Sequence, residues 1–491
     1  MSTLQQWQEK IQSKRKTTTF HDFVREICSR SPTNMYKYNG MISVYPPINR
    51  MKVTDADKYM SDRDSLMVDY EVAGDSFFDK IKALFLTVGM PNLLSFYQNE
   101  NCDYANITIH SKNIYLTFWS VWCENVMYSY LIKDNSSDVI ASVMAWDNCS
   151  VVFESSAILR SHNIFYSRNI ADSSDMRFCQ NMQWCSECIH CSWLHNKTYC
   201  IDNIELSKEE YLIKKNEFLS DKNKFYSRRQ GWELANYGSN NVTWSAIIKS
   251  NEVANWRFVY QVSWWRNICF AGSANGNQNV YDAIFFGSPS GDNVYAVAWW
   301  GSGIQNMYCS THVNWWSDVY YCLFMENCSF CLWCVGLKNK EYCIFNKQYT
   351  KEERYAKVDE IFSEMEREWT LWSFFPWSIN PFYFNDTAAH LLEPSIGRDE
   401  VTWLWYLWRD EPIRVDIPDW METVKASELE QFEWYKDGTW MIDPLILKKV
   451  IIDPEWNSYR VVKLEYDFLV KHGLPLPRKH WLERMKENFK I

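Results

Sequence analysis

The sequence predicts an α+β protein in which two duplicated β-solenoid units are each followed by a capping helix. An N-terminal front domain precedes them, and a partly extended C-terminal module follows. Three observations carry that expectation: a gapless internal duplication, a six-residue rhythm of polar, aliphatic and small residues, and a helix-start signal after each copy. The expected order is a front domain over 1–105, a first solenoid unit with its helix over 106–225, a second over 226–372, and a docking module over 373–491.

The front domain opens on MSTLQQWQEKIQSKRKTTTF, which is polar and has no apolar core of a signal peptide. No run of 18 or more apolar residues occurs in the chain. A cytoplasmic location is expected on these grounds. The net charge of -10 offers no broad positive field for nucleic acid or an anionic membrane, so the expected partner is another protein.

The duplication is read directly. Cys179–Glu210 and Cys322–Glu353 align at a constant offset, with 16 of 32 positions identical. Upstream of the first copy, Ser161, Ser167, Ser173, Cys179, Cys185 and Cys191 fall six residues apart, and Asn163-Ile164, Asn169-Ile170, Asp175-Met176 and Asn181-Met182 keep the same step. Such a hexad suits a solenoid: the aliphatic residue points inward, small residues fit the corners, and Asn tolerates left-handed backbone or stacks along the coil. Stacked coils require a continuous aliphatic ladder, whereas ordinary antiparallel strands with Asn and Ser turns do not. The spacing leaves open whether a turn takes about 12 or about 18 residues.

Each copy ends in S/T-x-x-E, at Ser207–Glu210 and Thr350–Glu353, the spacing of a capping box. Helices near 208–222 and 351–369 are expected to close the exposed end of each coil. Beyond them, FFPWSINPF and LWRDEPIRVDIPDW read as extended linker with short docking elements.

The candidate metal ligands are Cys185, Cys188, Cys191 and Cys200, with Cys328, Cys331, Cys334 and Cys343 in the second copy. Two ligands three residues apart with further thiolates nearby can complete a tetrahedral zinc site, and His190 or His195 can substitute in the first copy. The competing reading is that Cys serves as a small buried residue, since it alternates with Ser161, Ser167 and Ser173 in one register. Asp172, Asp175 and Asp318 could form a carboxylate site of the glycosidase kind, but solvated turns are the expected explanation for them. No H-E-x-x-H, G-x-S-x-G or phosphate-binding loop is present.

Composition adds one anomaly. A usual glycine share of roughly 7% predicts about 34 glycines, yet the chain has 15, against 27 tryptophans. Trp193 stands opposite Gly336 in the duplication, and Trp146 falls opposite Gly287 after a two-residue shift. Adjacent pairs such as Trp264-Trp265, Trp299-Trp300 and Trp315-Trp316 overfill a narrow coil. The codons of the two residues differ by one base, and UGA is read as glycine in some genetic codes. Most of these tryptophans are therefore expected to be UGA-encoded glycines, with Trp408 genuine. The alternative is a Trp-rich binder with stacking platforms.

The segment CSFCLWCVGLKNKEYCIFNKQYTKEE resembles a group of cysteine-rich, zinc-ribbon-flanked proteins of candidate-phylum bacteria, in which Trp333 falls at a family glycine. The similarity continues through Phe374-Phe375-Pro376, Asn385-Asp386-Thr387 and Trp408-Arg409-Asp410 to Gly473–His480, and it covers roughly residues 34 to 486. Members occur in lineages that read UGA as glycine. The flanking ribbons do not carry over, because the front has Cys28 alone and Ile452–Trp456 has no cysteine. No activity comes with the resemblance. The function expected is that of a non-enzymatic binding or scaffold protein, with zinc as the cofactor if the Cys clusters bind one. The alternatives are a thiol-redox or metal-handling protein and a β-helix carbohydrate-active enzyme.

Overall fold

The computed structural model describes residues 3–15, 19–47, 51–220 except 97 and 103, strand fragments between 247 and 314, 319–411 except 372 and 376–378, and 417–489 except 419 and 437. The chain forms two compact units, each built from two separated segments. One combines Met1–Leu93 with Ala235–Arg409, and the other combines Leu94–Leu234 with Asp410–Ile491. The four consecutive segments expected from the sequence are thus shared between these two units.

The second of these units contains a parallel β-solenoid running from Ser95–Phe96 to Thr198–Ile201. Its turns are 12 residues long, since Val152 pairs with Ile164, Ile164 with Met176, and Met176 with Cys188. The opposite wall keeps the same step from Ile158 to Ile170 to Met182. From Ile114 onward two turns take one residue more, pairing Val126 with Val139 and Val139 with Val152. The extra residues sit at corners, where Asp134-Asn135 and Asp147-Asn148 are consecutive left-handed pairs.

The corners explain the period. From Ile107 to Asp134 every third residue has a positive φ, and after the Asn135 insertion the same step resumes at Asp138. Each turn therefore has four sides of three residues, each bent at one left-handed corner. Such a conformation costs an L-residue roughly 1–2 kcal/mol. One residue per side points inward, and burying an aliphatic side chain returns roughly 1.5–3 kcal/mol. The register hydrogen bonds add to this, at about 1 kcal/mol each.

The required aliphatic ladder is present. Ile114, Val126, Val139, Val152, Ile164 and Met176 stack along one wall, and Ile132, Ala145, Ile158, Ile170 and Met182 along the other, all buried. The expected Asn stack also forms: Asn101 donates to Asn113 at 3.0 Å, Asn113 to Asn125 at 2.9 Å, and Asn169 to Asn181 at 2.7 Å.

Both helix-start signals form capping boxes. Glu210 N–H donates to Ser207 Oγ at 3.2 Å and Ser207 N–H to the Glu210 carboxylate at 3.0 Å, ahead of the helix Lys208–Ser220. The same reciprocal pair joins Thr350 and Glu353 before Lys351–Arg367.

The C-terminal stretch of this unit consists of short strands and helices, including the short elements expected at Asp443–Val450 and Tyr459–Leu469. Strands at Thr423–Lys425, Glu433–Lys436, Thr439–Ile442 and Val450–Ile452 precede helices Lys463–His472 and Trp481–Phe489. Their apolar residues Val424, Ile442, Ile451, Phe468 and Leu469 pack on the coil's outward column of Met127, Ile140, Phe153, Phe165 and Ile189. The Pro and acidic residues of this stretch mark turns between short elements. Its apolar partners recur once per turn of a distant segment, which no local pattern reveals.

Arg484 crosses this packed layer, fully buried, and donates to Glu465 at 2.7 Å and to Glu154 at 3.4 Å. Arg484→Met is expected to cost about 3–5 kcal/mol in urea denaturation, because two carboxylates stay buried without their cation. His480 begins the last helix, its Nδ1 accepting from Leu482 N–H at 3.3 Å. Burial holds its pKa down at about 4, below the ordinary 6.5. The unfolded chain then binds the proton first, so stability is complete above pH ~6.5 and falls as pH drops towards ~4. His480→Asn, which retains a cap acceptor, is expected to flatten that slope in denaturation series run at stepped pH.

In the other unit, strands from Thr311–Asn314 to Cys343–Ile344 repeat the 12-residue register, Val319 pairing with Cys331 and Leu332 with Ile344. Left-handed residues again recur at every third position from Tyr321 to Phe345. Arg63 binds these turns from the front segment, donating to Glu326 at 2.7 Å and to the carbonyls of Gly336 and Leu337 at 2.6 and 2.9 Å. Asp386 joins two distant segments, accepting from Tyr36 and taking both arms of Arg409 at 2.6 and 2.7 Å.

Candidate thiol clusters

The inward positions fall three residues apart, so C-x-x-C-x-x-C places three cysteines on successive sides of one turn. Cys185, Cys188 and Cys191 occupy three inward positions of one turn, and Leu194 follows. Cys200 stacks on Cys188 one turn later, as its register partner. In the second copy Cys328, Cys331 and Cys334 repeat the arrangement, and Cys343 lies one 12-residue step beyond Cys331. The structure therefore brings together both sets of four sequence-identified cysteines, and all eight are buried. Cys179 and Cys322 join them, each 12 residues before Cys191 and Cys334.

Two of these positions continue columns of small residues. Ser167 Oγ donates to Phe165 O and accepts from Cys179 N–H at 3.0 Å. Ser173 does the same with Ala171 O and Cys185 N–H. The thiols copy the pattern: Cys191 Sγ lies 3.2 Å from Ile189 O and accepts from Asn203 N–H at 3.4 Å. Cys334 Sγ accepts from Asn346 N–H at 3.5 Å in the second copy. Cysteine here takes the inward, hydrogen-bonding role of serine beside the corners, and it also replaces an aliphatic residue where Cys188 continues the column of Ile164 and Met176.

Each thiol is directed at the carbonyl two residues before it, from Cys185 to Gln183 at 3.3 Å through Cys200 to Thr198 at 3.7 Å. Among the described residues no group of three or more His, Cys, Asp or Glu is arranged to hold a metal ion. A soft donor set is present, and holding zinc would require these thiols to leave their carbonyls. His190 and His195 are not part of the clusters. His190 pairs with Asp202 at 2.5 Å, and His195 is exposed with its ring against Trp184.

The electrostatics separate the two copies. In the first, the neighbouring Cys188 thiol lowers Cys185, and the neighbouring Cys179 and Cys188 thiols lower Cys191. Cys188 is raised by its neighbours Cys185 and Cys191 and by burial, and burial raises Cys179 and Cys200. In the second copy burial raises Cys322 and Cys334, and Cys328 is raised by its bond to Cys331 and by burial. Away from the clusters, burial pushes Cys123 and Cys149 up to about 12.

The acidic candidates are engaged in the coil surface. Asp172 accepts from Arg160 at 2.6 and 2.8 Å, and Asp175 accepts from Asn163 at 3.0 Å. Asp318 lies outside the described residues, as do Trp264-Trp265, Trp299-Trp300 and Trp315-Trp316. The column of serines that accept backbone N–H groups across turns was legible only as spacing, because the same residues also serve as ordinary turn formers.

Ser167→Ala removes the acceptor of Cys179 N–H and is expected to cost about 1–3 kcal/mol in urea denaturation. Cys179→Ser keeps donor and acceptor in place and is expected to stay within about 1 kcal/mol of the parent. Comparison of the chain with protein-family models, curated proteins and solved structures returns no match, so its function is argued from this geometry.

Proposed function

We propose that the protein is a non-enzymatic scaffold or binding protein in which the cysteine clusters are part of the solenoid packing. The observation that carries this reading is the interchange of Ser and Cys within one hydrogen-bonded column, with Ser167 and Cys191 making the same two bonds to the coil. A side chain committed in this way ties one turn to the next and is withdrawn from solvent. A rigid coil of that kind suits the presentation of a surface to a protein partner, and the acidic charge disfavours nucleic acid and anionic lipid.

A structural-zinc reading rests on a separate observation: Cys185, Cys188 and Cys191 share one turn with Cys200 stacked on Cys188, and Cys328, Cys331, Cys334 and Cys343 are buried at the matching positions. A thiol-redox reading rests on the adjacency of Cys185, Cys188 and Cys191 on successive sides of one turn, with Cys185 and Cys191 lowered by their thiol neighbours. Alkylation and metal analysis of protein purified without chelator separate the three. The packing role is expected to give slow alkylation in native buffer, full alkylation after denaturation, and no stoichiometric metal. Bound zinc with loss of fold on chelation would replace it with the metal reading. Rapid native labelling of Cys191 would replace it with the redox reading.

A further inference from the structure

Left-handed backbone outside the coils selects residues sharply. There, each described residue with a positive φ is Asn, Gly or Trp: Asn39, Gly40, Gly89, Gly438, Gly473, Trp369, Trp405 and Trp456. Asn and Gly are the residues that visit this region readily, whereas a bulky side chain there is a genuine outlier. Tryptophan has no stereochemical claim to that company.

The hydrogen bonds place these tryptophans at sites made for glycine. The helix Lys463–His472 ends at Gly473 in a Schellman motif, with Gly473 N–H on Val470 O at 3.3 Å and Leu474 N–H on Leu469 O at 2.9 Å. The helix Lys351–Arg367 ends on the same pair of bonds about Trp369, from Trp369 to Glu366 at 3.1 Å and from Thr370 to Met365 at 2.8 Å. The helix Arg398–Trp403 repeats them about Trp405, to Thr402 at 3.0 Å and from Tyr406 to Val401 at 2.9 Å. Trp456 closes the turn Asp453-Pro-Glu-Trp between paired strands, its N–H on Asp453 O at 3.0 Å, at the left-handed position that favours glycine.

None of the three indoles fills a core: Trp369, Trp405 and Trp456 are 75%, 71% and 83% exposed. Within the coils, exposed Trp193 at φ +63 has Gly336 as its counterpart in the duplication, itself at φ +76. A Cβ on Gly336 would lie 2.6 Å from Leu66 Cδ1. Trp440 and Trp408 differ, with negative φ; one is buried in a strand, and the other sets its ring edge against His390 at 5.4 Å.

We infer that positions 369, 405 and 456, with 193 in the first coil, are glycines in the natural protein, specified by a codon that its own translation reads as glycine. The exposed indoles at these positions are then no ligand platform, and the three termini and turns close without strain.

Peptide mass spectrometry of the protein isolated from the cells that make it decides the matter, over the peptides spanning these four positions. Glycine is expected at each, with tryptophan retained at 408 and 440; tryptophan at 369, 405 or 456 overturns the inference. A second measurement uses the recombinant chain with tryptophan as written, comparing Trp369→Gly, Trp405→Gly and Trp456→Gly with the matching alanine variants. Glycine is expected to favour the folded state over alanine by roughly fivefold per position. Alanine variants as stable as the glycine variants would also overturn it, and Trp440→Gly is expected to destabilise.

Discussion

A left-handed residue at every third position is the constraint on which the solenoids rest. It bends the chain at each corner, closes a turn in 12 residues, and thereby sets which side chains meet. Each corner carries a conformational cost comparable to the gain from one buried aliphatic side chain. The balance therefore depends on every side contributing an inward residue and its turn-to-turn hydrogen bonds. The columns answer this in two ways: at the corners Asn stacks on Asn along the surface, and at inward positions Ser or Cys bonds backbone groups of its own and the next turn.

This explains why the cysteine motif is ambiguous when read as spacing. C-x-x-C is the step between ligands in many metal sites, and it is also the step between inward positions of this coil. The geometry produces the clustering of thiols in either case. Only the direction of each Sγ, towards the carbonyl two residues earlier, distinguishes a packed inward position from a coordinated centre.

Much of the coil was legible in the sequence, because its signals are local and repeated: Asn163, Asn169 and Asn181 mark corners, Ser161, Ser167 and Ser173 mark columns, and Ser207 and Thr350 mark helix starts. The turn length was not, since a hexad fits two or three strands per turn equally well. Nor was the left-handed state of residues such as Tyr128 and Phe178, which are chosen for packing and take their φ from the corner they occupy. The bond of Tyr36 to Asp386 and of Glu154 to Arg484 spans hundreds of residues, and so the pairing of distant segments leaves no periodic trace.

The 13-residue turns within the coil have an evolutionary consequence. Asp134-Asn135 and Asp147-Asn148 each absorb an extra residue at a corner while the walls before and after them stay in register. A single-codon insertion in such a lineage is thus a local event, where in an ordinary strand it would turn the following side chains to the wrong face. A coil of this kind can drift in length one residue at a time, and its descendants lose a recognisable repeat long before they lose the fold.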